Sequence, residues 1–411
     1  MNEYEEYEET YSQEEIDSIS LGKSYYENEK YEDTIDIFLE LINLNPDNYE
    51  GWHYLGMSYA QIKEYEKAIG FLLKAIEYNP EEELDWYWLG YSYNENEQYQ
   101  EAINSLLKAV KLNPDDEYNW YWLGRSYEDN EQYKESIECL LKSVEINPNN
   151  EYNWYELGYS YNRNKQYKES IECLLKAVEL NPNDEDNWHW LAHSYFQNKQ
   201  YKEMEKALLK AVEIKPDYYD CWCGLILSFK KMEDFNNEIE ACKQLIKLNP
   251  DDDRVWEYLG QAYYDNKQYE EAIDYLLEAI ELNPENDNNW YWLGKSYCKN
   301  KYYEKAIESL LKAIELNPND EYNWLWLGNS YIGLKDYNNA IQSYEKGIEI
   351  NSTNCDMLNN YGVALANLNR IEEAKKYFGK ALEIDSNYQL AKDNINSLNS
   401  FDIDSLRISE E

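Results

Sequence analysis

The chain has 411 residues, 82 of them acidic and 38 basic, for a formal charge of -44. That charge repels nucleic-acid phosphate and argues against a nucleic-acid partner, and no run approaches the about 18 consecutive apolar residues that membrane insertion needs. Seven cysteines, an odd number spread over the sequence, do not read as a disulfide framework.

Residues 1–14 are acidic and tyrosine-rich, without the positive start and apolar stretch of a secretory signal, so a cytoplasmic location is expected. From Glu15 onward one pattern recurs. Trp120, Leu123, Gly124 and Tyr127 are followed by Tyr133, Ser136, Leu140, Ser143 and Pro148, and the preceding copy reads Trp86, Leu89, Gly90, Tyr93, Ala102, Leu106, Ala109 and Pro114. The nine prolines fall at 46, 80, 114, 148, 182, 216, 250, 284 and 318, a step of 34 residues each time. Units therefore begin at Glu15, Tyr49, Glu83, Glu117, Glu151, Glu185, Tyr219, Asp253, Asp287, Glu321 and Cys355.

Apolar residues at positions 4, 7, 8 and 11 of each unit, and at 17, 20, 21, 24, 27 and 28, are spaced i, i+3, i+4, i+7. The spacing predicts two amphipathic helices per unit. Proline ends the second helix, and Asp or Asn beyond it suits the cap of the next first helix. Small residues at positions 8 and 20 mark a close approach of the two helices, with Trp at position 4 and Leu or Phe at position 24 filling the space beside them.

The period and the pattern W-x2-L-G-x2-Y, small residue, Leu or Phe, then Pro resemble those of the tetratricopeptide repeat over residues 15–388. The resemblance implies an all-α solenoid of about eleven helical hairpins in a right-handed superhelix, whose first helices line a concave groove. Residues 389–399 read as a capping helix and 400–411 as a disordered tail. An irregular junction is expected within 185–252. There Ala192 and Ile226 stand where other units have Gly, and Met204 and Glu238 where others have Ala or Ser. Ile226 opposite Glu238 predicts a wider hairpin.

All fourteen tryptophans sit at position 4 or 6. At about 100° per residue, position 4 faces the core, whereas positions 2, 5, 6, 9, 12 and 13 fall on the opposite face. That face holds the candidate peptide-binding residues Tyr87, Trp88, Tyr91, Tyr121, Trp122, Arg125, Tyr155, Tyr159, His189, Trp190, His193, Tyr291, Trp292 and Trp326. The fourth and fifth units share nearly the same frame but differ on this face, with Trp122 against Glu156, Arg125 against Tyr159, Glu128 against Asn162 and Asp129 against Arg163. Distinct side-chain pockets along one bound segment would require such differences.

The reading is a non-enzymatic scaffold or adaptor for a protein or peptide partner, held by aromatic and cation-π contacts. A carbohydrate-binding solenoid and a subunit that self-associates through aromatic patches are the alternatives. Co-chaperones of the family carry lysine at position 5 of the groove; here that position holds Tyr87, Tyr121, Tyr155 and His189, among others, so their carboxylate-gripping activity is not implied. His189 and His193 are spaced i, i+4, but no third ligand accompanies them, and no metal is expected. No phosphate-cradling glycine loop, nucleophile elbow or paired carboxylate cleft is evident, so neither cofactor nor catalytic residue is assigned.

Overall fold

The computed structural model describes residues 12–400 and 403–409. Most of the acidic segment at 1–14, residues 1–11, lies outside the described residues, as do 401–402 and 410–411. Among the described residues there are twenty-three α-helices, one 3-10 turn and no strand. Helices pair into hairpins from Gln13–Glu27 with Tyr31–Leu44 through Cys355–Asn367 with Ile371–Ile384, and a last helix spans Gln389–Asn399.

The backbone chemistry repeats with the sequence. In the fourth hairpin (Glu117–Asp129 and Tyr133–Ile146), the Asp116 side chain accepts from the amides of Tyr118 and Asn119 and caps the first helix. That helix ends when the Gln132 amide donates to the Tyr127 carbonyl at 2.8 Å and the Glu131 amide to Glu128 at 2.7 Å. This double closure turns the chain through a left-handed residue. Glu131 has φ 59°, and its equivalents from Glu29 to Asn369 recur every 34 residues with φ between 57° and 64°, none of them glycine. The second helix ends at Asn147, which is extended ahead of Pro148 (φ -129°, ψ 89°).

Nine of the eleven hairpins close around a glycine at position 8. A Cβ added to Gly124 would lie 2.6 Å from Leu140 Cγ, and one on Gly90 would lie 2.4 Å from Leu106 Cγ. The close partner is thus the leucine at position 24, with the small residue at position 20 beside it. Leu123, Leu140 and Leu157 are fully buried, and each occupies a core cluster that spans adjacent hairpins.

The tryptophans at position 4 differ from expectation. They are only half-buried, and all nine donate through Nε1 to the carbonyl of the proline six residues earlier, at 2.8 to 3.1 Å. The indole is amphipathic, so its plane packs at the joint while its N–H stays at the rim, where a carbonyl freed by the proline turn awaits a donor.

The chain divides into two compact units, Met1–Ile214 and Lys215–Glu411. Within each, the first helices of adjacent hairpins touch, save that contact between Tyr219–Lys231 and Asp253–Asp265 is at most marginal, as it is between neighbouring second helices, so the first helices form the inner layer. In the second unit, Ile226 and Glu238 are both buried, and with Cys223, Leu227, Lys230, Tyr258 and Gln261 they line a cavity of about 270 Å³.

The tail expected to be disordered is instead ordered over residues 403–409. Ile403, Leu406 and Ile408 pack on the core of the last hairpins, and buried asparagines bond the backbone of Arg407 and Ser409.

Candidate interaction face

The inner face of the first unit is built by four first helices, Glu83–Glu95, Glu117–Asp129, Glu151–Arg163 and Glu185–Gln197. Successive helices bring position 9 of one against position 6 of the next. Tyr91 meets Trp122 edge to face at 4.7 Å, and Tyr159 meets Trp190 at 4.4 Å. Within single helices, Tyr87, Trp88 and Tyr91 join edge to face at 5.3 and 5.4 Å, Tyr121 meets Trp122 at 5.7 Å, and Trp190 meets His189 and His193 at 5.7 and 5.2 Å. Tyr155 stacks on Tyr159 at 6.5 Å. The row is therefore a packed layer in its own right. Even so, every one of these eleven candidates, from Tyr87 to His193 and including Arg125, keeps part of its surface open.

The second helices contribute residues that sequence reasoning placed in the core. Tyr65 packs on Tyr91 at 6.1 Å and donates to Glu95 at 3.3 Å, and the Tyr133 hydroxyl accepts from Arg163 at 3.1 Å. Their helical phase gave no sign of this, because position 17 lies at the boundary between core and inner face.

Where the fifth hairpin has Glu156 in place of tryptophan, the ring row is interrupted by a polar cluster. Glu156 is buried, accepts from the Tyr121 hydroxyl at 3.2 Å and lies 3.6 Å from Arg125 Nε. Arg125 in turn stands over the Trp122 ring at 5.3 Å. Glu128 accepts from Ser160 Oγ at 3.2 Å. Burial raises the pKa of both Glu128 and Glu156, helped at Glu128 by Glu156 and Asp129 and at Glu156 by Asp129, and opposed at both by Arg125. Asn162, expected to face the groove, is instead buried and donates to Ser194 at 2.8 Å. His193 is held below its usual pKa by burial, then by His189 and Arg163, and among the described residues no three His, Cys, Asp or Glu side chains converge as metal ligands.

In the second unit the candidates are Tyr291, Trp292 and Trp326, and the last must be withdrawn as a groove residue. Trp326 is 1% exposed, packed with Leu310, Ile314 and Leu327 in one core cluster. Ile408 of the C-terminal tail also lines the small cavity beside it. Tyr291 and Trp292 retain some exposure, but they face a cation supplied by the chain itself. Lys295 Nζ lies 4.5 Å from the Trp292 ring centre, 4.8 Å from Tyr264, 5.1 Å from Trp326 and 5.8 Å from Tyr291. Burial pushes its pKa down to about 8, with Lys299 and Lys230 adding to the effect and Asp265 opposing it.

The family model described as anaphase-promoting complex, cyclosome, subunit 3 matches residues 71–143, 141–211 and 231–313, more than half of the chain. Models described as tetratricopeptide repeat match 49–82, 322–354 and 356–388, and a TPR repeat model matches 296–335. The chain belongs to the tetratricopeptide-repeat family. Comparison of this tetratricopeptide-repeat chain with curated proteins gave no match. Among solved structures it is similar to the C-terminal part of a TPR repeat-containing protein from Cytophaga hutchinsonii, at 18% identity and a TM-score of 0.52, covering 59% of this chain and 99% of that one. It is also similar to the APC/C hetero-tetramer Cut9-Hcn1 (14% identity, 91% and 94% covered, TM-score 0.47). A third likeness is to YrrB, described as a TPR protein with an unusual peptide-binding site (23% identity, 45% and 95% covered, TM-score 0.41). The first of these likenesses speaks to the fold alone, and nothing is argued from the other two. Among the described residues, no helix of this tetratricopeptide-repeat chain is long and apolar enough to cross a membrane.

Proposed function

We propose that the chain is a non-enzymatic scaffold whose first-unit inner face binds a segment of a partner protein. The observation that carries this reading is the row Tyr87, Trp88, Tyr91, Tyr121, Trp122, Tyr155, Tyr159 and Trp190, whose rings keep open surface despite packing on one another. Partly exposed indole and phenol rings offer large, rigid contact area and are frequent hot spots. Arg125 over Trp122 is an example from within the chain of what such a ring accepts. With a chain charge of -44, a segment bearing arginine or lysine is favoured, steered by the acidic field.

The test is a fluorescence titration of the full chain with an arrayed set of basic and acidic peptides, then with oligosaccharides. The chain carrying Trp88→Ala, Trp122→Ala and Trp190→Ala runs beside it, its folding checked by circular dichroism. Basic peptides should bind the parent and lose at least about tenfold in affinity for the variant, about 1.4 kcal/mol. Quenching by sugars alone, or peptide binding indifferent to the three substitutions, would remove this face from the argument.

A further inference from the structure

The second unit carries a different inner face. In its last repeats positions 5 and 6, which hold rings in most of the first unit, and position 9 carry amides, Asn359, Asn360 and Asn329, with Asn394 following from the last helix. All four are buried. They are not bonded only to one another. Asn394 donates through Nδ2 to the Arg407 carbonyl at 2.8 Å and accepts the Arg407 amide on Oδ1 at 2.9 Å. Asn360 does the same for Ser409, donating at 2.9 Å and accepting at 2.6 Å. Asn359 adds a bond to the Arg407 carbonyl at 3.2 Å, and Asn329 one to the Ser409 carbonyl at 3.2 Å.

Two side chains thus each grip both backbone groups of alternate residues, as a neighbouring strand would. Supporting bonds preset the clamp. Tyr344, fully buried, donates to Asn329 Oδ1 at 2.7 Å, Asn360 donates to the same atom at 2.8 Å, and Asn394 donates to Asn359 Oδ1 at 2.8 Å. Leu406 and Ile408 pack inward, Arg407 is exposed, and Ser409 is 7% exposed. Backbone bonds carry no sequence information, so what this site selects is an extended conformation with aliphatic residues two apart and a small residue after the second.

We propose that the inner face of the second unit is a peptide-binding site occupied in cis by residues 406–409, and that a partner segment of the same design, aliphatic-x-aliphatic-small in extended form, binds there by displacing this tail. The inference deepens the scaffold reading by naming the segment one face takes, but it rests on residues the aromatic row does not share. Failure of one therefore leaves the other standing.

The probe is a fluorescein-labelled peptide of residues 401–411, read by anisotropy against the full chain and against the full chain carrying Leu406→Asp and Ile408→Asp, which unseats the tail without touching the clamp. A tethered ligand competes at high effective concentration, so the double variant should bind the peptide at least about tenfold more tightly than the parent. Adding Asn360→Ala should abolish the gain. Amide exchange of the parent supplies a measure that needs no variant: the amides of Arg407 and Ser409 should exchange at least about 100-fold more slowly than in the free peptide. Equal peptide affinity for parent and double variant, or free-peptide exchange rates at Arg407 and Ser409, would overturn the proposal. So would a parent dimer that the double variant loses in sedimentation, which would place the tail on a second copy.

Discussion

The indole N–H of Trp120 donates to the carbonyl of Pro114 at 2.8 Å, across the joint between the third and fourth hairpins. The ring is half-buried, so the residue contributes both packing and a directed bond at the rim. Trp120→Ala should cost about 3 kcal/mol, from lost packing and an orphaned carbonyl. Trp120→Phe should cost about 1–2 kcal/mol, since it keeps most of the ring contact. Urea melts followed by circular dichroism separate the two; equal losses would mean that the bond contributes nothing.

The left-handed residue between the two helices of each hairpin is a place where the chain tolerates local strain. Glu131 has φ 59° and lies at the exposed turn of its hairpin. Glycine adopts that conformation without a Cβ clash. Glu131→Gly should therefore stabilise the chain by about 1 kcal/mol, visible as a higher urea midpoint with unchanged slope.

Glu238 is 1% exposed beside Ile226, and its Oε2 has no hydrogen-bond partner. Burial pushes its pKa up to about 7, against the pull of Lys230 and with the push of Asp265. The folded state thus binds a proton that the unfolded state has released, so stability falls as pH rises from about 4.5 to about 7 and is flat above. Glu238→Ala, the residue found at this position in the third and eighth hairpins as Ala102 and Ala272, should remove that slope. The gain at pH 8 should be about 2 kcal/mol. Melts at pH 5 and pH 8 measure it, and a gain of the same size at both would exclude the carboxyl as its source.

Lys295 makes the opposite case. Its ammonium sits among the rings of Tyr264, Trp292 and Trp326, with a pKa pushed down to about 8 chiefly by burial. Here the unfolded state holds its proton more firmly, so the cost to folding is fully present below pH 8 and vanishes above about 10.5. Lys295→Met should raise stability by about 1–2 kcal/mol at pH 7 and by little at pH 10.5. After reductive methylation with labelled formaldehyde, one dimethyl-lysine resonance should titrate near pH 8, and the Lys295→Met protein should lack it.

The hairpins and their order could be read directly from spacing, because proline, glycine and the apolar residues recur at fixed offsets that only a stacked pair of helices satisfies. The Trp–Pro bonds could have been read as well. Nine prolines are each followed six residues later by tryptophan, and where Ser352 and Ser386 replace proline, Leu358 and Lys392 replace tryptophan. Helical phase also brought out Tyr87 to His193 as one face, but phase says nothing of how far a neighbouring helix covers it, which is why Trp326 was misjudged. The contacts of Glu156 come from the preceding first helix and those of Asn162 from the next, and the caging of Lys295 depends on rings from three hairpins. Helical phase does not single out the asparagines of the last repeats. Their signal was the amides at Asn329, Asn359 and Asn360, and its meaning depended on an eleven-residue segment too short to show a period.

The donor and acceptor of each Trp–Pro bond straddle the boundary between two repeats in constant register, and that has a consequence for how such a gene can change length. Excising residues 115–148 would bring Asn149 directly after Pro114 and leave Trp154 six residues beyond it, ready to form the bond that Trp120 made. Unequal recombination in steps of 34 codons can therefore add or delete whole hairpins while every new seam inherits its fastening.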